Sequence, residues 1–400
     1  MTPLKPLWCA LVILLASCAT LPALAGEGCT TAVITTRGTT DGRPLLWKNR
    51  DTDSLSNKVV FVDERPFKYV AVVNAPDTAG RIVWGGLNEA GFAIINSVAY
   101  NLPLVAGEQK DLEGRVMADA LRTCGSVEDF QRFLTSRLGP SLGCQTNFVV
   151  IDARGGAAIF ETHNHGFERL DADTVQSGCL LNTNFSRSGT PDKGAGYLRF
   201  DRERALFARV PPGRLTGDFI LQTAARDLGH ALLPHPERAA WRLLPADSAR
   251  WIHTNHTIDR ASTACTILIQ GVKPGEDPRR ATLWVILGEP VCSIAVPVWV
   301  AAGETPAELR SGAAAPIYLE ARRLRGLLRP LKGPDRGEYA DLTRLDNRRG
   351  TGWLPATLKA ESEILRETEA LLARNPEPAT LAEFEKGVAA RALRTLQGIK

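Results

Sequence analysis

A cysteine near the start of the chain, Cys29, is followed by residues of the types that can activate a thiol. Two stretches with strand character, residues 30–36 and 44–47, flank a turn rich in glycine and aspartate. A hairpin of this length returns the charged sequence KNRD at residues 48–51 to the neighbourhood of Cys29. If the mature chain begins at Cys29, one residue carries both a thiol and an α-amine. An amine with a pKa near ~8 can take the thiol proton, so this stretch predicts nucleophilic catalysis by an N-terminal cysteine.

The stretch resembles a known family. A Cys-Thr start, a hairpin and a basic–Asn–x–Asp cluster resemble the N-terminal-nucleophile hydrolases, most closely the choloylglycine hydrolase and isopenicillin-N acyltransferase superfamily. The resemblance covers residues 29–300 and implies that Cys29 attacks an amide carbonyl while Asp51 orients the α-amine. The family usually has arginine where this chain has Lys48. Lysine supplies charge without the planar guanidinium fork, which leaves the electrostatic pairing at Cys29 open but not the nucleophile.

The beginning of the chain has the features of a secretion signal. A positive start, a short apolar run and the small–x–small sequence ending at Ala25 predict residues 1–25 as a signal peptide. We expect residues 26–28 to be a short propeptide that is removed when the Cys29 thiol attacks the Gly28 carbonyl. A lipoprotein-like sequence ending at Cys18 is the competing interpretation. Either way the protein is expected to be exported, periplasmic or secreted, with Cys18 lipidation as a means of anchoring.

Composition excludes several classes of protein. The 400 residues, 44% hydrophobic and 23% charged, suit one large domain or one domain with an appendage. The net charge is only +4 and no basic patch is interleaved with aromatic residues, so no nucleic acid partner is expected. No stretch is long enough to span a membrane comfortably. We expect no cofactor.

The cysteines after the signal are odd in number once Cys29 is reserved for chemistry. Five others remain, so at least one is unpaired unless it pairs between chains. Cys265 and Cys292 lie near the ends of neighbouring predicted strands, and a disulfide between them is one candidate. Cys29 itself also has a plainer interpretation, as a disulfide half in an exported chain.

Two asparagine-bearing stretches resemble motifs of the same superfamily. The sequence GLNEAGFAIIN at residues 86–96 predicts a turn and then a buried strand, and the resemblance implies a functional asparagine at Asn96, with Asn101 as the alternative. Asn88 and Asn96 can instead satisfy turn and backbone hydrogen bonds, as asparagine often does. The sequence CLLNTN ends at Asn184, for which the resemblance implies a role in holding an oxyanion. One such donor lowers a reaction barrier by ~3 kcal/mol.

An arginine follows at the start of a predicted helix. Arg199, in GYLRFDRERALF, matches an arginine that the family keeps near its active site. Arg202 lies about one turn further along and is the alternative. A solvated helix face is the ordinary interpretation of both.

Histidines support a second functional hypothesis. The two side chains of His163 and His165 lie on one face of a predicted strand, and His253 and His256 are a second pair. Together they define a zinc-dependent hydrolase as the alternative enzyme. A non-catalytic exported binding protein, in which Cys29 is only structural, is the alternative of a third kind.

The pattern of elements predicts an α+β domain. Strands joined by tight turns alternate with helices, and the resemblance implies a four-layer αββα sandwich for a catalytic domain at residues 29–303. Ser126 is predicted to start the second helix of the segment 114–138. From residue 304 the composition changes to Ala, Leu, Arg and Glu, which predicts a helical C-terminal extension over 304–400. The extension is expected to pack on the domain or to make a dimer contact in a homo-oligomer.

These residues imply an enzyme that acts on a small-molecule acylated amide. A thioester on Cys29 would be released by water, as in a hydrolase, or by an amine, as in an acyltransferase. Hydrolysis is the default expectation, because water is abundant outside the cytoplasm. The motifs define a linear amide C–N bond and leave the acyl and amine halves open.

Overall fold

The computed structural model describes residues 28–333 and 335–400. The predicted signal peptide, its cleavage point after Ala25, Cys18 and the first two propeptide residues lie outside the described residues.

The strands account for both large sheets of the structure. They are β1 (Gly28–Ile34), β2 (Leu45–Asp51), β3 (Asn57–Val62), β4 (Tyr69–Asn74), β5 (Val83–Asn88), β6 (Ala93–Val98), β7 (Gln145–Ile151), β8 (Ala157–His163), β9 (Gly166–Asp171), β10 (Cys179–Asn182), β11 (Trp251–His253), β12 (Thr263–Gln270), β13 (Thr282–Leu287), β14 (Val296–Val298) and β15 (Tyr339–Asp341).

The helices lie between the strands and after them. They are α1 (Glu113–Thr123), α2 (Val127–Thr135), α3 (Tyr197–Phe207), α4 (Gly217–Phe219), α5 (Arg238–Trp241), α6 (Ala307–Arg310), α7 (Pro316–Leu328), α8 (Leu342–Leu345), α9 (Leu354–Leu372) and α10 (Pro378–Gln397). A π-helical turn, Ile220–Ala224, follows α4. Ser126 does cap α2, because its hydroxyl accepts a hydrogen bond from the Asp129 amide.

Two antiparallel sheets form the centre of the protein. The first has six strands in the order β10-β1-β2-β12-β13-β14, and the second has seven in the order β3 to β9. Because side chains alternate across a strand, each strand of the second sheet serves two cores. In β4, for example, Val70 and Val72 join the core between the sheets, whereas Ala71 and Val73 join a core beneath α1 and α2.

Helices cover the outer face of each sheet. Helices α1 and α2 pack on the seven-stranded sheet through residues such as Leu121 and Phe130. Apolar residues of α3, α7, α9 and α10 join the core of the six-stranded sheet. The resulting order of layers, helix–sheet–sheet–helix, confirms the predicted αββα architecture.

The C-terminal helices are joined to the sandwich by a buried ion pair as well as by apolar contacts. Arg226 donates to both carboxylate oxygens of Glu361 in α9, each at 2.8 Å, and both side chains are fully buried. Glu361 also accepts a hydrogen bond from the Ala295 amide. Residues 354–372 are therefore part of the buried core and are not a loosely attached extension.

Two further observations bear on the sequence predictions. Cys265 and Cys292 are both thiols rather than halves of a disulfide, so the candidate disulfide between those two is wrong. In the described residues no helix is both long and apolar enough to cross a membrane.

Candidate active site

The β1–β2 hairpin places the charged cluster beside Cys29, as the sequence predicts. In the register of the two strands Cys29 lies opposite Arg50, and Gly28 lies opposite Asp51. Residues paired across an antiparallel ladder point to the same face, so the side chains of Cys29 and Arg50 share one face and Asp51 belongs to the other. The hairpin thus divides the cluster into a group around the thiol and a group around the backbone.

The Cys29 side chain lines a cavity between the two sheets. The cavity has a volume of about 310 Å³. The six-stranded sheet contributes Lys48 and Arg50, and the seven-stranded sheet contributes Trp84, Asn96 and Val98. The rim is completed by Asp51, Tyr100, Asp111 and Glu113. Cys29 is the nucleophile candidate in this cavity.

The backbone of Cys29 is held by Asn184 and Arg199. The Cys29 amide donates to Asn184 Oδ1 at 3.0 Å, and Arg199 Nη1 donates to the Cys29 carbonyl at 2.6 Å. Arg199 also donates to Thr30 Oγ1 at 3.0 Å and to Asn184 Oδ1 at 2.6 Å. Since two donors converge on Asn184 Oδ1, the network fixes the orientation of this amide. The amide oxygen of Asn184 thus faces the backbone nitrogen of Cys29 itself.

The orientation of Asn184 bears on its predicted role. Its Nδ2 donates to the Val98 carbonyl at 3.0 Å, and Val98 lines the cavity. In this geometry Asn184 acts as an acceptor toward Cys29. The oxyanion role that the resemblance implies for Asn184 stays a prediction. It would require the second N–H of Asn184 Nδ2, because the first donates to the Val98 carbonyl.

Helix α3 directs Arg199 inward, and not Arg202. The Arg199 side chain is 3% exposed, and burial in the first place and Arg260 in the second lower its pKa to about 10. Arg202 points away and forms a two-point ion pair with Asp227, at 2.7 Å for each contact. Of the two arginines that the sequence offers, only Arg199 contacts Cys29.

Asp51 is held by two residues that the sequence did not indicate. Arg260 Nε donates to Asp51 Oδ2 at 2.7 Å, and Thr263 Oγ1 donates to Asp51 Oδ1 at 2.7 Å. Arg199 Nη1 lies 3.9 Å from the same carboxylate. Burial lowers the pKa of Arg260 while the Asp51 charge raises it, and the net shift is upward. These contacts depend on the pairing of β2 with β12. No local sequence pattern predicts this long-range pairing.

Gly28 fits tightly against this network. A Cβ atom on Gly28 would lie 2.1 Å from Arg260 Nη2, 3.2 Å from Arg199 Nη2 and 3.3 Å from Asn184 Oδ1. The space beside the Gly28–Cys29 bond is therefore filled by guanidinium groups. This arrangement gives a structural reason for glycine at the residue before Cys29.

Lys48 and Asn96 form a pair on the cavity wall. Lys48 Nζ donates to Asn96 Oδ1 at 2.7 Å and to the Trp84 carbonyl at 3.0 Å. Asn96 Nδ2 donates in turn to Thr146 Oγ1 at 3.2 Å. The lysine that departs from the family pattern therefore orients one of the two predicted asparagines.

Arg50 was assigned no role from the sequence, yet it lies at the site. Its guanidinium carbon lies 4.1 Å from the centroid of the Trp84 ring, and Nη1 donates to Asn57 Oδ1 at 2.6 Å and to Asn74 Oδ1 at 2.9 Å. Stacking on an aromatic face suits a guanidinium. Strand alternation, which turns Arg50 away from Asp51, was the available signal.

Part of the chain matches a family model. The model described as "Acyl-coenzyme A:6-aminopenicillanic acid acyl-transferase" matches residues 38–207. The matched segment includes Lys48, Asp51, Asn96, Asn184 and Arg199, and it begins after Cys29. Over this segment, which is less than half of the 400 residues, the chain is similar to that acyltransferase family. The match indicates an enzyme of the amidohydrolase and acyltransferase class.

The chain is also similar to solved structures, at a distance. A mutant of conjugated bile acid hydrolase from Clostridium perfringens has 14% identity and a TM-score of 0.33, over 65% of this chain and 89% of that one. An N-acylethanolamine-hydrolyzing acid amidase ortholog from Caenorhabditis elegans has 11% identity and a TM-score of 0.40, over 64% and 99%. Penicillin V acylase from Agrobacterium tumefaciens has 14% identity and a TM-score of 0.37, over 68% and 85%. No curated protein matches the chain in sequence.

Two other asparagines that the sequence singled out, Asn88 and Asn101, have structural roles. Asn88 donates to the carbonyls of Leu121 and Cys124 and accepts from two amides of its own turn. Asn101 donates to the carbonyls of Ser186 and Thr190 and accepts from the Ser186 amide. Asn88 therefore fixes a turn and Asn101 fixes a loop, which favours Asn96 over Asn101 at the site.

The histidine pairs do not form the metal site of the alternative hypothesis. His165 lies in the turn between β8 and β9, and its Nε2 is 2.7 Å from Glu108. The ring of His253 packs against Tyr339. Across residues 28–333 and 335–400, no group of three or more histidine, cysteine, aspartate or glutamate side chains is arranged to hold a metal ion. The zinc hypothesis gains no support from this arrangement.

Proposed function

We propose that the protein is an N-terminal cysteine amidohydrolase that cleaves a linear amide C–N bond through a thioester on Cys29. The observation that carries the proposal is the hydrogen bond from the Cys29 amide to Asn184 Oδ1, 3.0 Å long, with the thiol facing a cavity. One atom of Cys29 is thereby oriented as a future base and another is exposed to substrate. The exported location, the signal at residues 1–25 and the division at residue 303 belong to the same proposal.

The first step is self-cleavage between Gly28 and Cys29. The Cys29 sulfur attacks the Gly28 carbonyl carbon, the C–N bond breaks, and the nitrogen leaves as the new α-amine after gaining a proton. Water then hydrolyses the thioester and releases a segment that ends in the Gly28 carboxylate. Asn184 Oδ1 accepts from the leaving nitrogen throughout, and Arg199 holds the Cys29 carbonyl.

Turnover uses the amine made in that step. The α-amine takes the thiol proton, the thiolate attacks the substrate carbonyl, and the same proton goes to the departing amine. The Asp51 carboxylate, fixed by Arg260 and Thr263, is placed to orient the α-amine, since the backbone of Asp51 pairs with Gly28. Asn96, which lines the cavity, and Asn184 are the proposed oxyanion donors, each through an amide N–H group.

Acyl transfer to an amine is the second candidate, and the family model that matches residues 38–207 favours it. The thioester is the same in both reactions, and only its acceptor differs. Product analysis with an added amine separates the two. A new amide indicates transfer, and a free acid alone indicates hydrolysis.

The test uses mature protein and a panel of small acylated amides. We expect the wild type to release amine from at least one of them, and Cys29→Ala to release none. Cys179→Ala is the matched control, because Cys179 is a thiol on a neighbouring strand of the same sheet. Turnover by Cys29→Ala at the wild-type rate would contradict the proposal.

A further inference from the structure

Helix α3 carries a second buried ionisable group, Glu203, that the proposed mechanism does not use. Glu203 is fully buried, and neither of its carboxyl oxygens has a hydrogen-bond partner in the described residues. An unsatisfied buried polar group is costly, and native proteins keep few of them. Its position therefore calls for a reason beyond packing.

The position of Glu203 links it to Arg199. The two residues are four apart on α3, so both project from the same face of the helix. Arg199 reaches forward to the Cys29 carbonyl and to Asn184 Oδ1, while Glu203 lies one turn behind it. The hydrogen-bond partners of the Arg199 guanidinium given above are neutral oxygens, and its ionic neighbour Asp51 lies 3.9 Å away.

Two guanidinium groups meet at one carboxylate near the site. Arg199 lies 3.9 Å and Arg260 2.7 Å from Asp51 Oδ2. An ionised Glu203 would be the next negative charge available to Arg199. A guanidinium that turned toward Glu203 would leave its contacts to Cys29 and Asn184.

We propose that Glu203 is a positioning residue for Arg199, and that a negative charge on its carboxyl draws the guanidinium away from Cys29 and Asn184. The inference rests on the proposed function, because it assigns Arg199 the task of holding the Cys29 backbone during self-cleavage. The uncharged carboxyl then corresponds to the competent site, and the ionised carboxyl to the impaired one.

The surroundings of Glu203 agree with an uncharged group. Burial raises the pKa of Glu203 well above its ordinary value, against the opposing effect of Arg199 and then Arg187. Arg187 comes from the segment after β10, where it donates to the Leu181 carbonyl and to Asn182 Oδ1. On β10 itself, burial first and Glu203 second raise the pKa of the Cys179 thiol. These three are the charged or titratable groups found to interact with Glu203.

The sign of the pH effect follows from these shifts. Below the raised pKa the Glu203 carboxyl is neutral, and Arg199 keeps its hydrogen bonds to the Cys29 carbonyl and to Asn184 Oδ1. As pH rises through that value Glu203 ionises, so the rate of self-cleavage falls, by about tenfold per pH unit for a single titrating group. Arg199 has a lowered pKa of its own, and an alkaline fall in rate caused by the titration of Arg199 would persist in a variant that lacks the Glu203 carboxyl.

The experiment measures self-cleavage of the full chain across pH for the wild type and for Glu203→Gln. Glutamine keeps the shape of the side chain and cannot ionise, so we expect the alkaline fall to be lost. Glu203→Leu, which also cannot ionise, is the second variant and is expected to lose the fall as well. Glu385→Gln is the control, because Glu385 is another buried glutamate with an unpartnered oxygen and a raised pKa of about 8, located in α10. It should keep the wild-type profile.

A second readout does not require self-cleavage. Alkylation of the Cys29 thiol by iodoacetamide is followed across pH by mass spectrometry. Ionisation of the thiol itself raises the rate in every variant, and we expect a second alkylation step in the wild type that Glu203→Gln lacks. If the wild type never cleaves itself but the step still depends on Glu203, the proposed function fails and the present inference holds. An alkaline fall and an alkylation step that both persist in Glu203→Gln would overturn the inference.

Discussion

Asp51 and Arg260 form a buried ion pair behind the Gly28–Cys29 bond, with 2.7 Å between Asp51 Oδ2 and Arg260 Nε. The residues are 209 positions apart in the chain. Thr263 holds the other carboxylate oxygen, so Asp51 is fixed while Gly28 is still joined to Cys29. The carboxylate expected to receive the α-amine is therefore already in position in the precursor.

Arg260→Gln is expected to destabilise the fold and to slow self-cleavage. It removes the 2.7 Å ionic contact of the buried Asp51 and leaves only Arg199, 3.9 Å away, as an ionic neighbour. Breaking a buried ion pair costs about 3–5 kcal/mol in the free energy of unfolding. Arg391→Gln is the control, because the ion pair of Arg391 with Glu367 is one-third exposed and contributes about 1 kcal/mol or less. Chemical denaturation and the half-time of cleavage measure both effects. Equal values for Arg260→Gln and the wild type would contradict the role of Arg260.

Gly28→Ala is expected to slow self-cleavage, because the added Cβ would lie 2.1 Å from Arg260 Nη2. The guanidinium must move, and its contact with Asp51 weakens as it does. Gly326→Ala in α7 is the control, since a Cβ there meets no atom within 4 Å and alanine favours the helix by about 0.5–1 kcal/mol. Mass spectrometry over time gives the rates. An unchanged rate in Gly28→Ala would show that the space beside the bond is not restrictive.

Lys48 and Asn96 are expected to act as a unit. Lys48→Met leaves Asn96 Oδ1 without the 2.7 Å contact, which costs about 1–3 kcal/mol for a buried acceptor, and it lowers turnover. Asn96→Leu lowers turnover as well. In the double variant the two losses should not add, since residues in contact couple by about 0.5–3 kcal/mol. The measurement is kcat/KM of the wild type, the two single variants and the double variant. Additive losses would contradict the coupling and show that the two side chains act independently.

Glu361→Gln is expected to loosen the C-terminal helices. The substitution removes the charge that Arg226 meets through two 2.8 Å contacts in a fully buried site, at a cost of about 3–5 kcal/mol. Glu363→Gln on the same helix is the control, because Glu363 is far less buried than Glu361. Thermal unfolding of the two variants makes the comparison. If residues 304–400 were a loosely attached appendage, both variants would unfold like the wild type.

The local patterns predicted much of this site. A hairpin needs only alternating strands and a turn, and it brings Cys29 within reach of Lys48 and Asp51. Asn96, Asn184 and Arg199 were implied by the resemblance to a family, and in the structure they contact Lys48 or the backbone of Cys29. Asn96 lies in β6, Asn184 follows β10 and Arg199 lies in α3.

The remaining residues depend on long-range pairing. Arg260 and Thr263 reach Asp51 because β12 pairs with β2, and nothing near residue 260 marks that arginine. The direction of the Asn184 amide is set by two converging donors, which only the assembled site reveals. The π-helical turn at Ile220–Ala224 likewise lies in a sequence with ordinary helical spacing.

The central claim is that Cys29 becomes the first residue of the active protein. Intact mass and N-terminal sequencing of the purified full chain and of Cys29→Ala test this claim directly. We expect the wild type to begin at Cys29 and Cys29→Ala to retain Gly28 and the residues before it. A wild-type enzyme that is fully active while its chain begins at Gly26 would contradict the account, since Cys29 would then have no α-amine.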